Sequence, residues 1–439
     1  MESLFVAFII LLLVMFFLGL GVWVFAGLLL VSTTGLVLMI DMPLHRIGTI
    51  MAPLVIRSAT SWEVAAIPMF IWMGEIMLRT DMSDRLFRGL SPLTYHLPGR
   101  LLHTNIAGSA LFAAISGSSA ATTATVGKIT IGELKSRNYS KSLTYGSLAG
   151  AGSLGLLIPP SIVMIVYGVL AEVSISRLFA AGVLPGIMIA SIYAAYVMVV
   201  SVMNPEVAPP DREKPGFRDA VRGAVDLIPI GILIFIVLGS IYSGIATPSE
   251  AAAVGVVATL FMTIVSRQLN PRIFFQSLVS AVQTSCMIAV VLIAAAFLST
   301  AMAFLHVPQD VASAISALDL SPYALIAILA VFYIILGMFL EGISITVMSL
   351  PITLPLVVAA GFDPIWFGVF LVVMVELAQI TPPVGFNLFI IQGLTGSPIM
   401  RVALAAAPFF VLMCVGAVLL TIFPEIALWL PGALFDQVQ

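Results

Sequence analysis

Residues 376–393 read ELAQITPPVGFNLFIIQG, and residues 152–168 read GSLGLLIPPSIVMIVYG. Each run sets a Pro-Pro pair, Pro382-Pro383 or Pro159-Pro160, in the middle of an apolar stretch. Proline lacks the amide donor and clashes with the preceding turn, so each pair interrupts a helix and frees carbonyls that lipid cannot satisfy. Such backbone persists at membrane depth only where it is buried in protein or lines a cavity. Freed carbonyls and hydroxyls suit a hard cation such as Na+, while the N-terminus of a restarting half-helix suits an anionic group.

Working outward, each break is preceded by a stretch rich in small and hydroxyl residues: AISGSSAATTATVG at 114–127 and GMFLEGISITVM at 337–348. Gly117 lies 42 residues before Pro159, and Gly342 lies 40 before Pro382. The two halves therefore share one plan. Gly117 and Gly342 are expected to make sharp reversals, with Ser116, Ser118, Ser119, Thr122 and Thr123 at the first tip and Ser344 and Thr346 at the second. Small residues also let helices pack closely in lipid, but four such patches at matched positions favour a site.

The first tip belongs to a stretch, 104–127, flanked by Arg79, Arg85, Arg88 and Arg100 before it and Lys128, Lys135, Arg137 and Lys141 after it. Lys and Arg concentrate in cytoplasmic loops, so both ends face the cytoplasm. About 12 residues per arm, at ~1.5 Å each, is too short to cross a ~30 Å hydrocarbon core, which predicts a re-entrant hairpin. The second stretch, 322–360, is flanked by Asp310, Asp319 and Asp363 with no Lys or Arg, and is expected to open outside. The repeats are thus predicted to be inverted, the arrangement of secondary transporters with midplane sites.

Composition supports a lipid solvent. The 439 residues are 61% hydrophobic and 9% charged, with mean hydropathy +1.17, whereas soluble domains carry roughly 25% charged residues. All 18 Lys and Arg lie between Arg46 and Arg401, and none falls in 273–400. A net charge of −3 gives no nucleic-acid footprint. Apolar runs predict spans near 4–18, 20–40, 61–78, 143–170, 178–203, 223–244, 249–266, 273–304, 364–393 and 402–425. The predicted fold is an all-α polytopic membrane protein of about ten transmembrane helices plus two re-entrant hairpins. The N-terminal LFVAFIILLLVMFF lacks the basic start and cleavage site of a secretory signal and is expected to stay as a span, with the N-terminus outside.

The expected organisation is N-terminal scaffold helices and an interfacial arm over 1–78, a first repeat over 79–203 with hairpin 104–127 and broken helix 143–170, and a linker over 204–222. Scaffold helices follow over 223–304, then a second repeat over 305–425 with hairpin 322–360 and broken helix 364–393. Residues 41–62 mix Arg46, Arg57 and Pro53 with apolar residues, as an interfacial amphipathic helix does.

Intramembrane carboxylates mark function by default, which singles out Glu75, Glu341 and Glu376. Glu341 at the second tip and Glu376 one turn before the break could bind a cation or carry a proton; a structural carboxylate bonded to a neighbouring helix remains open for Glu376 and Glu75. His45, His96, His103 and His306 form no metal-ligand spacing, and Cys286 and Cys414 lie in separate apolar segments. The sequence holds no HExxH or GxSxG motif, which argues against a membrane-embedded hydrolase.

SGSSAATTATVG, GSLGLLIPPSIVMIVYG, ATPSEAAAVGVV at 246–257, GMFLEGISITVMSLPITLP and ITPPVGFNLFIIQGL together resemble the large membrane subunit of tripartite ATP-independent periplasmic (TRAP) transporters, over essentially the whole chain. The resemblance implies a bacterial or archaeal inner-membrane protein, an elevator motion of hairpins and broken helices against a scaffold, and Na+ as coupling ion with no cofactor. It implies a first Na+ site among Ser116, Gly117, Ser118, Ser119, Gly152, Ser153 and Gly155, and a second among Gly342, Thr346, Thr381, Pro382, Val384 and Gly385. Thr122, Ser344, Glu341, Glu376 and Asn387 are candidates for substrate or coupling. The second tip often carries Asp in the family where this chain has Glu341. The implied partners are a small four-helix membrane subunit, expected here as a separate polypeptide, a soluble periplasmic substrate-binding protein, and a small organic anion. A stand-alone cation-coupled carboxylate carrier of the same superfamily is the alternative.

Overall fold

The structure is a computed structural model that describes residues 9, 12, 13, 16, 17, 20–210, 215–316, 321–383 and 385–436. Ten of the fifteen residues of the expected first span, 4–18, therefore fall outside the described residues. Every regular element among them is helical.

The first half runs α1 (Val24–Ile40), α2 (Leu44–Thr60), α3 (Ala66–Leu78), α4 (Met82–Thr94), α5 (Leu101–Ser116), α6 (Ser119–Ser136), α7 (Lys141–Gly152), α8 (Ile162–Leu170) and α9 (Ile175–Met203). The second runs α10 (Phe217–Tyr242), α11 (Pro248–Val265), α12 (Pro271–Phe304), α13 (Val307–Ser316), α14 (Pro322–Gly337), α15 (Gly342–Ala359), α16 (Pro364–Gln379), α17 (Phe386–Thr395), α18 (Ile399–Ile422) and α19 (Glu425–Phe435). Helices α11, α12, α14 and α16 each start with proline at the first helical position behind a capping Thr247, Asn270, Ser321 or Asp363, whose side chain accepts from an early amide. That pairing pre-sets φ and satisfies a donor that a helix start leaves unpaired.

The two halves pack alike. Hairpin α5–α6 lies on α7 as hairpin α14–α15 lies on α16, and α7 packs on α18 as α16 packs on α9. The halves are also interleaved, because α6 packs against α17 and α15 against α8. Around them α3 packs on α11 and α12, and α2 on α12.

Among the described residues six helices can cross a bilayer by length and composition, α9, α10, α11, α12, α15 and α18, or seven if the pair 44–60 and 63–78, bent by 52°, is one span. The other expected spans are shorter or broken: α1 has 17 residues, α3 has 13, and two are split at prolines. In the segment read as interfacial, α2 buries Ile47 alone. Three elements escaped the sequence reading. Helix α4 buries Met82, Leu86, Phe87 and Leu90 on one face, α13 begins directly after a turn at His306 (φ 53°), and α19 follows α18.

Candidate functional site

The first tip is the two-residue link between α5 and α6. Gly117 ends α5 in the left-handed region (φ 59°), with its N–H donating to Ala113 O at 3.0 Å. Ser118 caps α6 by accepting from the Ala121 amide at 3.4 Å. Ser116 and Thr122 share a hydroxyl hydrogen bond of 2.9 Å.

This tip sits directly on the first break, the loop between α7 and α8, which contains a cis Pro159-Pro160 bond. Three glycines permit the approach. A Cβ on Gly117 would lie 2.8 Å from Pro160 O, one on Gly155 2.5 Å from Ser119 Cα, and one on Gly152 1.9 Å from Thr123 Oγ1. At Gly117 and Gly155 the atoms met are backbone, which cannot turn aside, so glycine is required there. Ser153 Oγ donates to Gly150 O at 2.6 Å within its own helix. The residues expected to form the first site are thus brought together, and Ser119, Gly152, Ser153 and Gly155 are buried.

The second tip is built differently. Gly342 was expected to make the reversal, but it is the first residue of α15, and residues 338–341 make the turn. Its small size serves packing instead: a Cβ there would lie 2.6 Å from Val375 Cγ1, and one on Gly337 1.9 Å from Ala378 Cβ. This tip is therefore seated on the last two turns of α16. Thr346 Oγ1 donates to Gly342 O at 2.9 Å, and Ser344 is buried one turn into the same helix. Glu341 holds the N-cap position without making a cap bond and is exposed.

The second break runs from Ile380 to Gly385, and Pro382-Pro383 is also cis. Thr381 Oγ1 donates to Leu377 O at 2.7 Å, and Gly385 N–H returns to Thr381 O at 3.0 Å. Val384 lies outside the described residues. The first break is closed over by protein, whereas Pro383, Phe386 and Phe389 leave the second open on one side.

Glu376 joins the two halves. It is 0% exposed, and its Oε1 accepts from Ser119 Oγ and, at 2.7 Å, from the Leu156 amide of the first break. Its Oε2 has no partner among the described residues; nor have Thr123 Oγ1, Gln379 Oε1, or either polar atom of the buried Asn387. Buried polar atoms without partners carry a desolvation penalty of about 1–3 kcal/mol each. Glu75, by contrast, pairs with Arg79 at 2.7 Å.

Among the described residues no three His, Cys, Asp or Glu side chains gather as they would around a transition metal. Hydroxyls, carbonyls and one carboxylate are the donors present, a set suited to a hard cation. Sequence reasoning missed Thr123 as a partner of Gly152, and also Leu156 and Gln379. Gln379 stands one turn after Glu376 on the same helix and could have been found from that spacing.

The profile described as "Tripartite ATP-independent periplasmic transporter, DctM component" matches residues 5–426. The C4-dicarboxylate TRAP transporter large permease protein DctM of Pseudomonas aeruginosa is 34% identical over 381 residues, 86% of this chain and 88% of that one. The isethionate TRAP transporter permease protein DctMQ of Oleidesulfovibrio alaskensis is 34% identical over 420 residues, covering 95% of this chain and 65% of the longer relative. In fold, the chain is similar to the crystal structure of the Alcanivorax borkumensis YdaH transporter, with TM-score 0.64 at 13% identity over 90% of this chain and 91% of that one. Broken helices, paired hairpin tips and sequence agree: this all-α, multi-pass membrane chain belongs to the DctM component family of TRAP transporters, and is a permease subunit rather than an enzyme.

Proposed function

We propose that this chain is the transport-carrying subunit of a Na+-driven importer for a small organic anion, working in the inner membrane with its N-terminus on the periplasmic side. The observation that carries the reading is the pairing of each hairpin tip with a proline-broken helix around buried, unpartnered polar atoms. One cation binds between Ser116–Ser119 and Gly152–Gly155, the other between Gly342, Thr346 and Thr381–Gly385. Substrate then meets the N-termini of α8 and α17 together with Asn387. The relatives' printed names, for a C4-dicarboxylate and for isethionate, support an acidic substrate. A periplasmic binding protein delivers it, and a separate small membrane subunit braces the scaffold.

Hairpins and broken helices move as one unit against α1–α4 and α10–α12. Small residues at the contact support sliding: a Cβ on Gly74 of α3 would lie 3.3 Å from Ser116 Cα. The test is the melting temperature of the purified protein, with whatever subunit accompanies it, in Na+ against K+ at equal ionic strength. A ligand at 100 times its Kd stabilises by about 2.7 kcal/mol. A Na+-specific rise that Ser119→Ala and Thr381→Ala each weaken is the expected result, and its absence refutes sodium coupling.

A further inference from the structure

Glu376 stands six residues before Pro382, and the matched position six residues before Pro159 is Ser153. The two behave differently. Ser153 bonds the carbonyl of Gly150 in its own helix, while Glu376 reaches into the other half to take hydrogen bonds from Ser119 and Leu156. Their counterparts are unequal too. Ser119 opens α6, whereas Gly342, which opens α15, has no side chain to donate. The cross-half bond therefore exists on one side of a molecule whose helix packing is otherwise matched.

We propose that Glu376 is a positioning residue that clamps the first tip to the first break from the opposite half, so that the first cation site is assembled before its ion arrives. The proposal rests on the cation-coupled reading above. A hydroxyl has one hydrogen and two acceptor lone pairs. With the Ser119 hydrogen committed to Glu376, its lone pairs are what remains to face a cation. The same carboxylate oxygen holds the Leu156 amide, fixing the break backbone between Gly155 and Leu157.

Among the described residues no carboxylate clamps the second tip to the second break from the opposite half. Gln379 Oε1 and both polar atoms of Asn387 lack partners, and Pro383 and Phe386 are exposed. The open side of this site, at Pro383 and Phe386, is left to be ordered on binding, and ordering subtracts from affinity. Occupancy is consequently ordered: the preassembled first site fills at lower Na+, and the second fills with substrate.

The test titrates Na+ alone against thermal stability of the purified complex, and then Na+ against uptake, for wild type, Glu376→Gln and Glu376→Asp. Gln keeps an acceptor oxygen for both donors, while Asp is one methylene too short. Expected are a Na+ midpoint close to wild type for Glu376→Gln and a rise of about tenfold for Glu376→Asp, the effect of one lost buried hydrogen bond. The substrate KM at saturating Na+ stays unchanged. If Gln shifts the midpoint as far as Asp, the carboxylate is itself a ligand and the positioning role is overturned. If Asp lowers stability equally with and without Na+ at an unchanged midpoint, the bond is merely structural and the proposal fails as well. A wild type with no Na+ response refutes the cation reading instead, which separates the two failures.

Discussion

Replacing Gly155 by alanine tests the contact between the first tip and the first break. The added Cβ would fall 2.5 Å from Ser119 Cα, 2.6 Å from Ser119 N and 2.7 Å from the Ser118 carbonyl carbon. All three are backbone atoms, which no rotamer change can move aside. Carbon atoms pack comfortably at about 3.5–4.0 Å, so the tip must withdraw by roughly 1 Å. Overpacking of this kind destabilises by about 1–3 kcal/mol. If that falls on the closed tip, its population relative to the withdrawn tip drops about 5- to 150-fold. Uptake into proteoliposomes, normalised to inserted protein, is expected to fall accordingly, with a higher Na+ midpoint and a lower melting temperature. Gly132→Ala is the control, since a Cβ there meets nothing within 4 Å, and alanine favours a helix over glycine by about 0.5–1 kcal/mol. Wild-type uptake and Na+ midpoint in Gly155→Ala would refute the reasoning.

Two further substitutions probe the same architecture. Gly117→Ala meets both a left-handed backbone (φ 59°) and Pro160 O at 2.8 Å; the backbone alone costs about 1–2 kcal/mol. Gly117→Asn, which tolerates that φ, should not restore uptake, because its Cβ meets the same oxygen; restoration would refute the steric part. Asp363→Ala removes the acceptor for the Ile365 and Trp366 amides at 2.6 and 3.2 Å, and should cost about 0.5–2 kcal/mol in thermal denaturation, with Asp363→Asn recovering most of it. An unchanged transition in Asp363→Ala would show that α16 starts independently of its cap.

The breaks were legible because proline acts locally: Pro159-Pro160 and Pro382-Pro383 interrupt their helices regardless of what surrounds them. The first tip was legible for the same reason, since Gly117 needs its left-handed φ within two residues of a capping serine. At the second tip the same inference misassigned Gly342, whose glycine is required by Val375 on another helix, a contact that no local pattern encodes. Helix α4 was hidden by its charges. Arg79, Arg85 and Arg88 read as a cytoplasmic flank, while Met82, Leu86 and Leu90 at helical spacing supplied a weaker signal of an amphipathic segment. Glu376 was visible as an intramembrane carboxylate, yet its partners were not, because Ser119 lies 257 residues earlier in the chain.

That separation has a biosynthetic consequence. A ribosome adding about 5–20 residues per second reaches Glu376 roughly 13–50 s after Ser119. Throughout that interval the nascent first hairpin is without the acceptor for its serine and α6 lacks α17, and for most of it α8 lacks α15, against which they finally pack. The early half must be kept from pairing wrongly until the late half is inserted. If interleaving makes the two halves fold as one cooperative unit, a chain cut within residues 204–222 should accumulate in the membrane only when both fragments are made together.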